Sequence, residues 1–162
     1  MNPCIVSLGT NIGDREEMLK QMAESIKKVL SAPIIFSPIM ETSPLEVHRE
    51  MDWFYNCIVS GFYTGTPTEL LHACLEIEKS LGRKREHYHD ARTADIDILL
   101  YNQDIRNTEE LTIPHPAILR RKFCIEGIAE IYPSYVHPVL KKSFLEIKKS
   151  MLTTEINNQL IK

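Results

Sequence analysis

Apolar residues follow two different spacings in the first thirty positions of the chain. Residues 4–8 form an apolar run that ends at Gly9, which predicts a short buried strand. Apolar positions then recur every three or four residues from 18 to 30, which predicts a helix. Asp14 precedes this helix and can accept hydrogen bonds from its first turn. The chain is therefore expected to begin with a strand and a helix.

The next apolar segments predict two more strands. Residues 34–40 form the second strand, and Pro38 places it at a sheet edge because proline cannot donate to a β-ladder. Residues 53–63 are aromatic and β-branched and predict a longer third strand. The segment between them, 42–52, has no clear period and predicts a long exposed loop, the kind of segment that often carries function.

A second helix has clear signals at both of its ends. Thr66 can cap it, Pro67 occupies its first position, and Glu69 follows the cap by three residues. Gly82 is a typical residue at which a helix ends. The following residues, 83–92, are charged and lack any core pattern, so they predict another exposed loop.

Residues 95–101 carry the pattern around which the chain is organised. Their first half alternates acidic and apolar residues, and their second half is fully apolar, which predicts a strand with one buried face. Side chains two residues apart on a strand point the same way. Asp95 and Asp97 are therefore expected side by side, with Ile96 and Ile98 on the opposite face.

Two further helices are predicted in the last part of the chain, over 117–131 and around 140–147, and 153–162 is expected to fray. Before them, the order of elements is strand–helix–strand–strand–helix–strand. This order predicts an α+β fold, a ferredoxin-like βαββαβ sandwich with additional C-terminal elements. That plan supports many functions and indicates none by itself.

Length and composition place limits on the class of protein. A chain of 162 residues predicts a single domain over 1–162, with a core at about 4–133 and an extension at 134–162. The chain is 43% hydrophobic and 25% charged, with a net charge of −3. That slight acidity argues against a general affinity for nucleic acid or for a membrane surface. We expect a monomer, with any anion-binding site confined to a local cluster.

The cysteines and the N-terminus indicate a cytoplasmic protein. No apolar run approaches the roughly 20 residues that span a bilayer, and the N-terminus lacks a signal-peptide pattern. The cysteines are scattered in apolar contexts without a C-x-x-C pair, which predicts buried reduced thiols. They are Cys4, Cys57, Cys74 and Cys124.

The two acids of the fourth strand are the candidate chemical site. Adjacent carboxylates repel each other unless a cation lies between them, and Mg²⁺ favours such all-oxygen sites. Arg83, Arg85 and Arg92 lie shortly upstream, as a site for a metal and a polyphosphate would require. The residues alone leave a second interpretation open, a solvated strand end whose acids are balanced by arginines.

Seven separated segments form a recognisable set along the chain. They are SLGTN at 7–11, TSPL at 42–45, FYN at 54–56, EKSLGR at 78–83, RTADIDIL at 92–99, IPHP at 113–116 and RKF at 121–123. In this order they resemble the 6-hydroxymethyl-7,8-dihydropterin pyrophosphokinase family of folate biosynthesis, and the resemblance covers about residues 5–133.

The resemblance implies an activity, a metal and a set of site residues. The family has a ferredoxin-like fold and transfers a diphosphate from ATP to the hydroxymethyl oxygen of the pterin, releasing AMP. Asp95 and Asp97 would bind two Mg²⁺ ions, and together with Arg83 and Arg92 they would form the catalytic set. The ATP-binding residues would be Leu71, Glu78, Arg83, Arg85, Arg92, Ile98, Thr112, His115 and Arg121. The pterin-binding residues would be Thr42, Ser43, Pro44, Leu45, Phe54, Asn56, Asp95 and Phe123.

Three positions depart from the family pattern. The family usually has a tryptophan and a Gly-Pro pair just before Arg92, where this chain has Tyr-His-Asp-Ala at 88–91. Glu110 lies where a basic residue is common, which would remove one nucleotide contact. Gly127 replaces a usual proline, a change that bears on packing rather than on chemistry.

Two other classes of function compete with this one. A Mg²⁺-dependent phosphohydrolase or nuclease could use the same acid pair. A non-catalytic ferredoxin-like module could bind RNA, but the aromatic third strand lacks the basic surroundings that RNA binding needs. His72 and His137 have no partner in the sequence, and we expect structural or exposed roles for them.

Overall fold

Seven strands, four α-helices and one 3₁₀ turn make up the structure, a computed structural model that describes residues 1–11, 13–43, 53–82 and 94–151. In chain order they are β1 (Asn2–Thr10), α1 (Arg15–Val29), β2 (Ser31–Phe36), β3 (Met40–Thr42), β4 (Phe54–Tyr63), α2 (Pro67–Ser80), β5 (Asp95–Tyr101), β6 (Arg106–Asn107), β7 (Thr112–Ile113), a 3₁₀ turn (Ile118–Arg120), α3 (Lys122–Ile131) and α4 (Phe144–Ser150).

One antiparallel sheet organises the described residues. Its strands lie in the order β2-β4-β1-β5, and β3 continues along the edge of β4 beside β2. Because β1 and β2 both run antiparallel to β4, they are parallel to each other, as a helical crossover between them requires. A separate two-stranded hairpin, β6–β7, packs beside β5. The architecture is therefore a mixed α/β structure with an antiparallel sheet and four helices.

The two faces of the sheet bury two separate cores. On the first, which we call the α1–α2 face, side chains such as Val6 and Leu8 pack against α1 and α2. On the second, the α3 face, Ile5, Ile58 and Leu99 pack against α3 and α4. Alternation along each strand assigns its residues to one face or the other, so the faces of the site residues follow directly.

Three predicted helix signals are confirmed. The side chain of Asp14 accepts a hydrogen bond from the Glu17 amide at the start of α1. Thr66 caps α2 in the same way, with Pro67 in the first turn. The helix ends before Gly82, whose φ of +91° lies in the left-handed region that glycine adopts freely.

The segment predicted as a single strand over 34–40 is two strands instead. β2 ends at Phe36 and β3 begins at Met40, and both pair with β4. Between them the Ser37 amide donates to the Ile58 carbonyl, and the Ser37 hydroxyl accepts from the Ile58 amide. The Ser37 hydroxyl thus makes a hydrogen bond in place of a backbone ladder bond next to Pro38, which lacks an amide hydrogen.

Two more predicted bounds need correction. The helix predicted over 117–131 is broken, because Arg121 is extended (φ −114°, ψ 108°) between the 3₁₀ turn and α3. Thr42 was expected at the start of an exposed loop but lies in β3 and is buried. The remainder of that loop, 44–52, lies outside the described residues.

The cysteines and the helices agree with a well-packed interior. All four cysteines are buried and free, and burial raises the pKa of Cys4, Cys74 and Cys124 to about 12. None of the described helices is both long enough and apolar enough to cross a bilayer.

Candidate active site

The strand register aligns three predicted site positions in one row. Gly9 of β1 pairs with Asn56 of β4 on one side and with Asp95 of β5 on the other. Strand alternation puts all three on the α3 face. A Cβ atom at position 9 would lie 2.7 Å from Oδ1 of Asn56, so only glycine leaves room for that amide. The row joins the acid pair to the amide of the third predicted strand.

Asp95 and Asp97 lie on the same face, as predicted. Ile96 and Ile98 are buried in the core of the α1–α2 face, and the two acids therefore point to the α3 face. The side chain of Asp97 is 26% exposed, so solvent reaches it. The strand thus presents two accessible carboxylates.

Two basic side chains approach Asp97. Nη1 of Arg121 lies 3.6 Å from its Oδ2, and Nε2 of His115 lies 3.9 Å from its Oδ1. Arg121 reaches this position because the chain is extended there, immediately before α3. The break in the predicted helix is therefore what delivers a guanidinium to the acid pair.

His115 is neutral at pH 7 in this environment. Burial lowers its pKa below the ordinary 6.5, and Arg121 and Arg120 lower it further, while Asp95 raises it. Its Nδ1 accepts a hydrogen bond from the Ala117 amide at 3.1 Å, so the ring proton is on Nε2. The Nε2–H of His115 faces the acid pair as a neutral donor.

Glu78 supports the outer edge of β5. It is 2% exposed, and its Oε1 accepts a hydrogen bond from the Ile96 amide at 2.8 Å. On the same strand, the His115 amide donates to the Leu99 carbonyl at 2.9 Å. Backbone groups on this side of β5 are thus held by α2 and by the segment after β7.

A cleft of about 240 Å³ opens along that edge of β5. Five of the predicted site residues line it: Leu71, Asp97, Ile98, Thr112 and His115. Apolar side chains such as Leu71 and Ile98 line part of the cleft and suit a flat base, and polar side chains, Asp97 among them, line the rest. The remaining lining residues are Ile96, Glu109, Glu110, Leu111 and Pro116.

Three of the predicted pterin residues, Asn56, Thr42 and Phe54, lie together at the other end of the row. Nδ2 of Asn56 donates to Oγ1 of Thr42 at 2.6 Å, and both side chains are buried. Phe54 pairs with Thr42 across the β3–β4 ladder. Phe123 belongs to the core of the α3 face, two residues after Arg121. Ser43 directly follows β3.

Several predicted residues cannot be placed. Position 12 and the ranges 44–52, 83–93 and 152–162 lie outside the described residues. The predictions for Pro44, Leu45, Arg83, Arg85 and Arg92 fall there, as does the departure at 88–91.

The donor set fits Mg²⁺. No group of three or more His, Cys, Asp or Glu side chains that could hold a metal occurs among the described residues. Two neighbouring carboxylates match the habit of Mg²⁺, which keeps waters and takes phosphate oxygens as its other ligands. Asp95 and Asp97 are the residues that would hold it.

Sequence reasoning missed the pairing of Gly9 with Asn56 and the place of Glu109 at the cleft rim. The sequence identified Gly9 as the end of the first strand and as part of the SLGTN segment, but its role in the site depends on cross-strand register. Glu109 and Glu110 line the cleft because β6 and β7 form a hairpin, and those strands are too short for a periodic signal.

The fold and the site together define a class of protein. A carboxylate pair at a sheet edge, a guanidinium beside it and an adjoining cleft with apolar and polar walls are the parts of a metal-dependent nucleotide-using transferase.

Comparison with known proteins identifies the family. The model of the 7,8-dihydro-6-hydroxymethylpterin-pyrophosphokinase (HPPK) family matches residues 5–133. A 2-amino-4-hydroxy-6-hydroxymethyldihydropteridine pyrophosphokinase of Bacillus subtilis is 38% identical over 131 residues, 80% of this chain and 78% of the relative. The Aquifex aeolicus protein of the same name is 32% identical over 143 residues, 88% of each chain.

A solved structure shares the fold. The chain superposes on wild-type Plasmodium falciparum HPPK-DHPS, crystallised with pteroate, with a TM-score of 0.73 at 17% identity. The match covers 96% of this chain but 44% of that one, so the chain spans less than half of its length. This chain belongs to the HPPK family, and it is a pyrophosphokinase, a transferase of folate biosynthesis.

Proposed function

We propose that the chain transfers the terminal diphosphate of ATP to the hydroxymethyl group of 6-hydroxymethyl-7,8-dihydropterin, giving AMP and the pterin diphosphate. The observation that carries this proposal is the row Asn56–Gly9–Asp95, with Asp97 next to it. It joins a buried hydrogen-bonding amide to an accessible carboxylate pair at the mouth of the cleft.

ATP would occupy the cleft along β5. Leu71, Ile98 and Thr112 would contact the base and ribose, and the polar end at Asp97 would receive the phosphates. Glu78 would act through the Ile96 amide that it holds. The Nε2–H of His115 and the guanidinium of Arg121 both face the acid pair and would donate to phosphate oxygens.

The pterin would occupy the Asn56 end of the row. Phe54 and Phe123 are the aromatic residues expected to contact the ring faces, and the Asn56 amide would read the ring edge. Thr42 fixes the orientation of that amide by accepting one of its hydrogens. Asp95 then lies across β1 from Asn56 and would be beside the hydroxymethyl group.

Some roles depend on the resemblance alone. Arg83 and Arg92 would bind the transferring phosphates, Arg85 would add a weaker contact, and Ser43, Pro44 and Leu45 would complete the pterin pocket.

Two Mg²⁺ ions at Asp95 and Asp97 would neutralise the phosphate charge and orient the β-phosphorus. The protein itself supplies positioning and a fixed array of donors, which can account for most of the catalysis. Asp95 is the one candidate to accept the hydroxymethyl proton.

We also propose the detailed fold of the chain, its domain organisation, its oligomeric state and its location. The strand order supports a ferredoxin-like βαββαβ sandwich, in which the first two strands of the sheet core are parallel and separated by the third. The chain would be a single domain with its core at about 4–133 and an extension at 134–162, monomeric and cytoplasmic.

The products of the reaction test this proposal. The protein is incubated with ATP, Mg²⁺ and the hydroxymethyl pterin, and the products are separated by mass and by nucleotide chromatography. We expect AMP and a diphosphorylated pterin in equal amounts, and none without the pterin. Release of ADP, inorganic phosphate or cleaved nucleic acid would favour the phosphohydrolase or nuclease class. A lack of Mg²⁺-dependent binding of an ATP analogue would favour a non-catalytic module.

A further inference from the structure

One wall of the cleft is tied to helix α2 at two points. Nη1 of Arg106, on β6, donates to Oγ1 of Thr68 at 2.8 Å. Nε2 of His72 lies 2.8 Å from Oε1 of Glu110, which precedes β7. Thr68 and His72 are four residues apart, so they lie one turn apart on the same side of the helix. The β6–β7 hairpin is therefore fastened to α2 by two polar contacts of equal length.

The two contacts differ in their relation to the cleft. Glu110 lines the cleft, and so does Leu71, the neighbour of His72. Arg106 and Thr68 do not line it. One contact thus lies at the cleft rim, and the other holds the same two elements together outside it. The Arg106–Thr68 contact therefore serves as a control, because its removal weakens the attachment of the hairpin to α2 without changing a residue of the cleft.

The negative charge at the cleft rim gives the His72–Glu110 contact a second role. Glu109 and Glu110 place two carboxylates on a cleft that leads to Asp97. A carboxylate only accepts hydrogen bonds, so Nε2 of His72 carries the proton and donates it to Glu110. Without that donor, the Glu110 carboxylate would face the cleft unpaired and would repel an anionic ligand.

We propose that His72 is a positioning residue for nucleotide binding. It holds the Glu110 carboxylate against helix α2 and so keeps it from approaching the ATP phosphates. This inference rests on the proposed use of the cleft for ATP. It gives His72 a role beside Glu110, an acidic residue that would otherwise weaken the binding of ATP.

The test is a set of affinities for a Mg²⁺-loaded nonhydrolysable ATP analogue, measured by calorimetry. His72→Ala should bind it about threefold to fivefold more weakly, the upper part of the range expected for a pair of exposed side chains. The control Thr68→Val removes the outer contact and should stay within about twofold of the parent. His72→Ala combined with Glu110→Gln should return to within about twofold, because the carboxylate that would repel the phosphates is gone.

Two further readouts separate this role from a structural one. The deficit of His72→Ala should shrink in 0.5 M salt, where the Debye length falls to a few ångströms, about 4 Å. The affinity for the pterin alone should not change. Equal losses in His72→Ala and Thr68→Val, or a double variant as weak as His72→Ala, would overturn the inference. If the parent itself fails to bind the analogue, the proposed function fails instead, and the two failures are thereby distinguished.

Discussion

Asn56 is held in place by neighbours that its own sequence context does not reveal. Its amide donates to Thr42, and Gly9 leaves the space that its Oδ1 occupies. The sequence identifies Asn56 as a lone amide on an apolar strand, but the contacts come from strand register. Register depends on pairing over the whole sheet, so residue patterns alone cannot predict it.

Thr42→Val should weaken pterin binding while ATP binding is kept. Valine preserves the shape of threonine but cannot accept the Asn56 hydrogen bond, so the amide is no longer fixed. A single hydrogen bond of this kind contributes about 0.5–1.5 kcal/mol, so the KM for the pterin should rise about twofold to tenfold. Steady-state kinetics with each substrate varied in turn will show it. A rise in the KM for ATP of the same size would contradict this assignment.

In this chain, Gly127 allows α3 to approach Ile58 of the sheet closely. A Cβ at this position would lie 2.2 Å from Cγ1 of Ile58, far inside van der Waals contact. Gly127→Ala should therefore lower the free energy of unfolding by about 1–3 kcal/mol through overpacking. Urea denaturation measures the change, with Glu130→Ala on the exposed side of the same helix as the control. A Gly127→Ala variant as stable as the parent would show that the helix can shift without cost.

Secondary-structure elements were predicted best where their ends carry chemical signals. The caps at Asp14 and Thr66 and the alternation in β5 led to correct placements, since these are local interactions. The prediction for 117–131 failed because a 3₁₀ turn followed by a helix gives nearly the same apolar spacing as one helix. The break at Arg121 is the part that matters for the site.

The extension after α3 is anchored through a histidine. His137 is buried, and its Nδ1 accepts hydrogen bonds from the Val139 and Leu140 amides. Burial lowers the pKa of His137 below its ordinary 6.5. Protonation at Nδ1 would also remove both accepted hydrogen bonds. The neutral ring is therefore the form that stabilises the loop ahead of α4.

His137→Asn should flatten the acid side of the stability profile. As pH falls through 6.5, the ordinary pKa of histidine, His137 binds a proton more readily in the unfolded chain than in the folded protein. The parent therefore loses stability below that pH. Asparagine keeps an acceptor but does not titrate. The melting temperature of the variant should therefore fall less than that of the parent between pH 7 and about 5.5. Thermal melts at several pH values check this, and parallel profiles for the two proteins would contradict it.

At the scale of the whole molecule, the site lies at one end of the α3 face of the sheet. The α1–α2 face is closed by two helices, whereas α3 and α4 pack on the other face around Ile5, Ile58 and Leu99. The ends of β1, β4 and β5 extend the same face to Gly9, Asn56 and Asp95. The alternation in β5 was enough to predict that its acids share a face. Which face α3 covers, and how far, depends on packing that only the folded chain defines.

The central claim is that the acid pair on β5 supports diphosphate transfer. The direct test is the rate of AMP formation from ATP, Mg²⁺ and the hydroxymethyl pterin, for the parent, for Asp97→Ala and for a control, Asp104→Ala. Asp104 is an exposed acid just beyond the other end of β5.

We predict that Asp97→Ala lowers the rate by at least about 100-fold, because a metal ligand contributes several kcal/mol of transition-state stabilisation. Asp104→Ala should retain the parent rate, and circular dichroism should show that both variants are folded. A folded Asp97→Ala protein that forms AMP as fast as the parent would contradict the account.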